Sequence, residues 1–267
     1  MSQVTVRSVV YQIDGQSYES RLAFDASHRG PLPGLLMAPN WMGVSAGAEE
    51  IAKSVASKGY VVLIADLYGQ TVRPSNGDEA GAAMMPLKND RGLLNKRMQA
   101  ALEQLQGQAE AAVDTSKLAT FGFCFGGCCS LELARTGVPV KAAISFHGTL
   151  DKPNPADAKN IKGSVLVLHG ASSVPQEFVS LCNQFGGQVG GAKGVPEDML
   201  RKAAGMGVCK INVDTDIRLA VTASIRQYLA EHPDQFDPRA YLTPARDAVK
   251  NMVAHKIRNV MGSSNKA

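Results

Sequence analysis

The sequence predicts an α/β protein, a parallel sheet flanked by helices, and three observations carry that prediction. Short apolar runs recur along the chain at 32–38, 60–65, 118–123, 141–147 and 164–168. Stretches with helical spacing of their apolar residues lie between them, at 46–58 and 91–106. Strands alternating with helices build parallel sheets with right-handed crossovers. The third observation is a glycine-rich turn, Gly122-Phe123-Cys124-Phe125-Gly126-Gly127, between an apolar run and a helix-like stretch.

Taken in order, residues 4–24 alternate loosely and carry Asp14-Gly15, a hairpin signal. The run 32–38 reads as a buried strand. Helical spacing over 46–58 (Ala46, Ile51, Val55) stops at Gly59. The run 60–65 is again a strand, followed by Asp66-Leu67-Tyr68-Gly69. Residues 73–90 are polar and bear Gly and Pro, so they are expected to form a loop or cap over a site. A helix over 91–106 leads to the strand 118–123, and two more strands follow. Past residue 169, helix is expected over 196–205, with Glu197-Asp198 in its first turn, and a short strand over 210–214. Residues 217–229 form a periodic helix with Ile217, Ala220, Val221, Ile225 and Leu229 on one face. A last helix over 244–260 ends in a polar tail.

At 267 residues the chain has room for one α/β domain or two small ones, and it can bury a full core. Its 45% hydrophobic and 19% charged residues are those of a soluble globular protein. The net charge of +4 leaves no strongly basic face, so neither nucleic acid nor a membrane surface is an expected partner. No apolar run approaches the ~18 residues a membrane span needs, and the first residues lack the apolar core of a signal peptide. The five cysteines have no zinc-type pairing, and an odd count points to reduced thiols in a cytoplasm. Oligomeric state is not fixed by anything in the sequence.

The pattern G-x-C-x-G-G is a strand–nucleophile–helix turn. Such a nucleophile sits on a tight bend at positive φ, and flanking glycines let strand and helix pass close to it. The Cys124 thiol is then held above the sheet at the positive end of a helix, which favours a thiolate.

Residues 1 to about 170 resemble the dienelactone hydrolase family of α/β-hydrolases. The matching residues are Pro39-Asn40-Trp41-Met42-Gly43-Val44, Ala65-Asp66-Leu67-Tyr68-Gly69, the cysteine elbow, Ser145-Phe146-His147-Gly148 and Val165-Leu166-Val167-Leu168-His169-Gly170. The resemblance implies Cys124 as the nucleophile on an ester or lactone carbonyl, with no cofactor. It implies an oxyanion hole made by the backbone N–H groups of Trp41 and Phe125. Family members typically carry a glutamate where this chain has Asn40, so a carboxylate that gates the thiol is not expected. The family places an aspartate just after the strand ending Leu168-His169-Gly170, but Gly170-Ala171-Ser172-Ser173-Val174-Pro175 has none. The family histidine follows the last strand, where this chain reads Thr215-Asp216. The triad is therefore expected to be incomplete.

Residues from about 165 to 267 resemble instead the C-terminal end of class II fructose-bisphosphate aldolase, a zinc-dependent TIM barrel and an aldehyde-lyase of glycolysis. The signatures are Leu168-His169-Gly170-Ala171-Ser172-Ser173-Val174-Pro175, Lys193-Gly194-Val195-Pro196, Lys210-Ile211-Asn212-Val213-Asp214-Thr215-Asp216 and Phe236-Asp237-Pro238-Arg239. The resemblance implies His169 as one zinc ligand. It implies Gly170 and Ser172 in a phosphate loop, with Asn212, Asp214 and Thr215 as substrate-holding residues at a strand end. One histidine does not make a zinc site, which needs three protein ligands and an open position. Zinc belongs to the aldolase reading and is not expected to bind.

The chain is thus expected to resemble a chimera: a hydrolase-like domain over 1–168 and an aldolase-like segment over 169–267, which supplies the last strand and the C-terminal helices. Three functions follow as alternatives. They are a cysteine hydrolase of small esters or lactones, an aldolase fragment acting on a sugar phosphate, and an inert phosphate-binding scaffold.

Overall fold

The computed structural model describes residues 3–150, 154–170, 172–191, 194–205 and 208–264, with 169–170 and 208–210 described through the backbone alone. Two compact units divide the chain, 1–167 and 168–267.

The first unit is a mixed sheet in the order β1-β2-β4-β3-β5-β6-β7. Its strands are β1 (Val4–Ile13), β2 (Gln16–Asp25), β3 (Leu32–Ala38), β4 (Val61–Ile64), β5 (Val113–Phe123), β6 (Ala142–Phe146) and β7 (Ser164–Gly170), the last running into the second unit. The Asp14-Gly15 turn has both residues at positive φ, 52° and 78°, which suits a two-residue hairpin. That hairpin and the β2–β4 pair are antiparallel, whereas β3–β4, β3–β5 and β5–β6 are parallel. The sheet is therefore antiparallel over β1, β2 and β4 and parallel from β4 to β6, with the β1–β2 pair closed by a tight two-residue turn.

Helix α1 (Ala46–Ala56) starts at Ser45, whose hydroxyl accepts from the Ala48 N–H at 3.3 Å. Its Ala48, Ala52 and Ala56 pack on Met37, Val62, Ile64 and Phe121, one face of the sheet. The other face carries Leu36, Ala38, Val61 and Leu63. It is covered by α3 (Arg91–Gln106), through Leu94, Met98 and Leu105, and by α4 (Phe125–Arg135), through Cys129 and Leu133. Period-2 alternation along β3 and β4 sends neighbouring side chains to opposite faces, so both faces are apolar and both are covered. Chain order reverses between β3 and β5, and in such sheets ligands bind in the crevice at the strand carboxyl ends there.

Residues 73–90 are not the loop expected from their polarity. They contain α2 (Gly77–Asn89), started by Asn76, whose side chain accepts from the Glu79 N–H at 3.0 Å. The Glu79 carboxylate reaches back to the Ser75 N–H at 2.9 Å. The segment is a helix, and Gly77 lies against the ring of Trp41.

The second unit contains α5 (Gln176–Gln184), α6 (Glu197–Gly205), β8 (Val208–Asn212), α7 (Thr215–Glu231) and α8 (Pro238–His255), which ends in a π-helical turn over Lys256–Met261. Helix α5 was not anticipated. Helix α8 begins at Pro238 after the Asp237 cap, and Pro244 lies inside it rather than at its start. Two small apolar clusters hold the unit: Val174, Val179 and Leu219, and Leu200 with Val260. Between them lies a polar knot. The buried Asp216 carboxylate accepts from the Ser173 N–H (3.0 Å), the Val174 N–H (2.8 Å) and Lys256 Nζ (3.0 Å). Lys256, itself 7% exposed, also meets Glu197 at 2.5 Å.

Candidate active site

Strand β5 delivers Cys124 to the carboxyl edge of the sheet, and α4 starts at once with Phe125. Cys124 is the N-cap of α4 with φ 54° and ψ −119°, a conformation that costs a non-glycine residue free energy. Its N–H donates to Phe146 O at 2.9 Å, which pins the bend to the end of β6. The thiol is partly exposed, whereas Cys128 and Cys129 in the next turn are buried.

The glycines of the motif are set by contact rather than by φ. A Cβ on Gly122 would stand 2.1 Å from Gly126 O. One on Gly126 would stand 2.0 Å from Ala38 O and 2.4 Å from Pro39 O, and one on Gly127 2.5 Å from Ser145 Oγ. The end of β3 therefore lies directly against the first turn of α4. This contact brings the Asn40-Trp41 turn beside Phe125.

The turn is closed by Asn40. Its carbonyl accepts from the Gly43 N–H at 3.0 Å, and its side-chain oxygen from the Met42 N–H at 2.9 Å. The Asn40 side chain is thus spent on its own turn and exposed. The Tyr68 hydroxyl donates to Trp41 O at 2.8 Å and fixes the peptide that follows. Burial, with the Cys129 and Cys124 thiols close by, pushes the Tyr68 pKa well up, so the phenol stays protonated. Phe125 N–H lies in the first helical turn, where no intrahelical acceptor exists. The N–H groups expected to form the oxyanion hole thus belong to segments that meet at Gly126.

Two further side chains stand at this edge; the sequence places His147 in the family-like Ser145-Phe146-His147-Gly148 segment and gives no signal for Arg91. Arg91, the first residue of α3, donates from Nη1 to Cys128 Sγ at 2.8 Å. Burial raises the Cys128 pKa, and the Arg91 guanidinium opposes that rise without cancelling it. The pair is separated by 37 residues, a distance at which local spacing carries no signal. The second is His147, just past β6, exposed and at φ 50°.

No described histidine makes a hydrogen bond to Cys124. His28 lies in the turn after β2 beside Asp25, His232 stacks on Tyr228 at 4.3 Å, and His255 meets Glu197 at 2.7 Å. The side chain of His169 lies outside the described residues, and Gly170 is described only as the end of β7.

In the second unit, Ser172 Oγ accepts from the N–H groups of Asp214 (3.3 Å) and Thr215 (3.1 Å), where α7 begins. This hydroxyl therefore caps the helix from another loop. Asp214 pairs with Arg218 at 3.0 Å, and Asn212, Asp214 and Thr215 are exposed. Ser172, Asp214 and Thr215 are thus brought together, with Asn212 at the preceding strand end. Among the described residues no group of three or more His, Cys, Asp or Glu side chains converges to hold a metal ion. Among the described residues no helix is long and apolar enough to cross a membrane.

Comparison with known proteins divides along the chain. The model of the dienelactone hydrolase family matches residues 20–181. The model of class-II fructose-bisphosphate aldolase matches residues 142–266. The fructose-bisphosphate aldolase of Treponema pallidum is 51% identical over 109 residues, 41% of this chain and 33% of that protein. That of Giardia intestinalis is 48% identical over 99 residues, 37% of this chain and 31% of that protein. The chain spans about a third of the length of these curated relatives. Among solved structures, a dienelactone hydrolase-like promiscuous phosphotriesterase from metagenomic libraries is 31% identical with a TM-score of 0.60, covering 85% of this chain and 95% of that one. The structure m3DLH is 27% identical at the same TM-score of 0.60, covering 90% of this chain and 98% of that one. The hydrolase match spans more than half of the chain and contains the whole elbow, while a class-II aldolase segment follows it; the chain belongs to the dienelactone hydrolase family.

Proposed function

We propose that the chain is a cysteine acyl hydrolase of small esters or lactones, with Cys124 as nucleophile and the Trp41 and Phe125 N–H groups as oxyanion hole. The observation that carries this reading is the strained Cys124 bend at the N-terminus of α4, packed through Gly126 onto the end of β3. A thiolate there attacks the carbonyl carbon, and the oxygen that gains charge faces fixed N–H donors. The positions where family members keep their aspartate and histidine hold neither residue, so the hydrolysis proposed is slow. Loss of triad partners costs on the order of 10⁴-fold or more in rate. A cytoplasmic, reducing setting belongs to the same proposal, since a free nucleophilic thiol requires it.

The test is turnover of p-nitrophenyl acetate and a small lactone by the full chain. Weak turnover that disappears in Cys124→Ala supports the proposal. Turnover at the level of a complete triad, or turnover unchanged in Cys124→Ala, would overturn it.

The aldolase-family match favours a second, narrower reading, a weak phosphate-binding nest at Gly170, Ser172, Asn212, Asp214 and Thr215. We do not extend it to cleavage of fructose 1,6-bisphosphate, because the rest of the barrel's ligand set has no counterpart in this chain. One zinc per chain by metal analysis, with triose-phosphate release that a chelator stops, would refute that restriction.

A further inference from the structure

We propose that His147 is the proton acceptor for Cys124, a catalytic residue that takes the role of the missing family histidine from a different strand. The inference rests on the reading of Cys124 as nucleophile. Strands β5 and β6 are parallel neighbours with Phe123 opposite Phe146 in the register. Cys124 and His147 are each the next residue, and the Cys124 N–H donates to Phe146 O at 2.9 Å. Neighbouring strands lie about 5 Å apart, so the two residues leave the same edge of the sheet side by side.

Both sit at positive φ, 54° and 50°. Of the other non-glycine residues at positive φ, Asp14 forms a hairpin turn and Ala112 precedes β5, while Val174 lies in the second unit. Among the described residues, only at the elbow do two such residues each follow directly on one of two paired strands, and strain of this kind concentrates at functional sites. The other described histidines are accounted for by position: His28 beside Asp25, His232 on Tyr228 and His255 on Glu197. The His147 imidazole is exposed and makes no hydrogen bond among the described residues, so it is not committed elsewhere. In a ligand-free state a catalytic hydrogen bond is often unmade and closes only with substrate. The titratable or charged groups packed around the elbow are the Tyr68 phenol, the Cys128 and Cys129 thiols and the Arg91 guanidinium. The Glu132 carboxylate on α4 also acts on the Cys128 and Cys129 thiols, but it is paired with Arg135, and among the described residues no carboxylate hydrogen-bonds to the His147 imidazole.

The chemistry balances without a co-reactant other than water. The Cys124 S–H gives its proton to the imidazole, and the sulfur forms a bond to the ester carbonyl carbon. The oxyanion collapses, the C–O bond to the alcohol breaks, and the departing oxygen takes the proton from the imidazolium. Water then attacks the thioester and passes a proton to the imidazole. The C–S bond breaks, the acid leaves, and the imidazolium returns its proton to the sulfur.

The test compares wild type, His147→Gly and His147→Asn, two variants that tolerate positive φ. Alkylation by iodoacetamide is followed at Cys124 by peptide mapping from about pH 5 to 9, where imidazoles titrate. We expect a loss on the order of 100-fold at neutral pH in both variants, shrinking as pH rises. Added imidazole should restore part of the rate in His147→Gly, where the side-chain volume is vacant. Superimposable pH profiles, or no rescue, would overturn the role of His147 while leaving the nucleophile in place. If Cys124 of the wild type reacts no faster than the thiols of the urea-unfolded chain, the nucleophile reading itself fails, and the two failures are told apart.

Discussion

Replacing Gly126 by alanine isolates the contact on which the elbow depends. The added Cβ would stand 2.0 Å from Ala38 O and 2.4 Å from Pro39 O. Ordinary C···O contacts are about 3.3–3.6 Å, so the end of β3 and the first turn of α4 must separate by roughly an ångström or more. Both clashing atoms are backbone, and neither can rotate away. Overpacking of a tight core costs about 1–3 kcal/mol, and this case belongs at the top of that range. A loss of about 3 kcal/mol lowers the urea midpoint by roughly 1–2 M for a slope near 2 kcal/mol/M. The chain has one tryptophan, Trp41, and it lies on the displaced segment, so its fluorescence reports the transition directly. Gly81→Ala is the control. Its Cβ meets nothing within 4 Å, and it lies inside α2, so the same chemical change should stabilise by about 0.5–1 kcal/mol. If Gly126→Ala matches wild type in midpoint, the close approach of β3 to the elbow is wrong, and so is the oxyanion hole built on it.

Asp216→Ala should destabilise the second unit by about 3–5 kcal/mol, since it strands a buried lysine and two loop N–H groups. Asp214→Ala, which removes only the exposed i,i+4 pair with Arg218, should cost about 0.5 kcal/mol or less; helix content against urea separates the two. The polar knot also fixes a pH window. Burial works to raise the Glu197 pKa, but the hydrogen bonds from His255 and Lys256 outweigh it and hold it below its ordinary 4.5. The Glu197 contribution is then complete above about that value and is lost as pH falls through the depressed one. For Lys256 burial works downward, and the carboxylates of Glu197 and Asp216 outweigh it to raise the pKa above its ordinary 10.5. Its contribution is complete below that value and is lost as pH rises through the raised one. Thermal midpoints of Glu197→Gln should therefore lose part of the acid-side dependence and show a weaker alkaline limb, which Asp216 alone then sustains. A variant with an unchanged acid limb would contradict the assignment.

The strands and the elbow were legible because their signals are local. Apolar runs end at glycines, and Gly122, Cys124 and Gly126 stand at spacings that only a strand–turn–helix satisfies. Helix α2 was hidden by Gly77, Gly81 and Pro86, which lower helix propensity. Its start was nevertheless written in Asn76 and Glu79, a capping pair that polarity alone obscured. Pro244 suggested a helix start, but the Asp237 cap and Pro238 supply the start one and a half turns earlier. The long-range pairs were beyond sequence reasoning. Nothing in the spacing of Arg91 and Cys128, or of Asp216 and Lys256, predicts contact, since each depends on which faces the packed elements present.

The most direct test of the account is the fate of Cys124 during ester hydrolysis. Wild-type chain mixed with p-nitrophenyl acetate is quenched in acid at short times, and the acetyl group is located by peptide mass spectrometry. The account predicts one acetyl thioester on Cys124, formed faster than it is hydrolysed and absent in Cys124→Ala. Acetylation spread evenly over the five cysteines, or found on none of them while product accumulates, would contradict it.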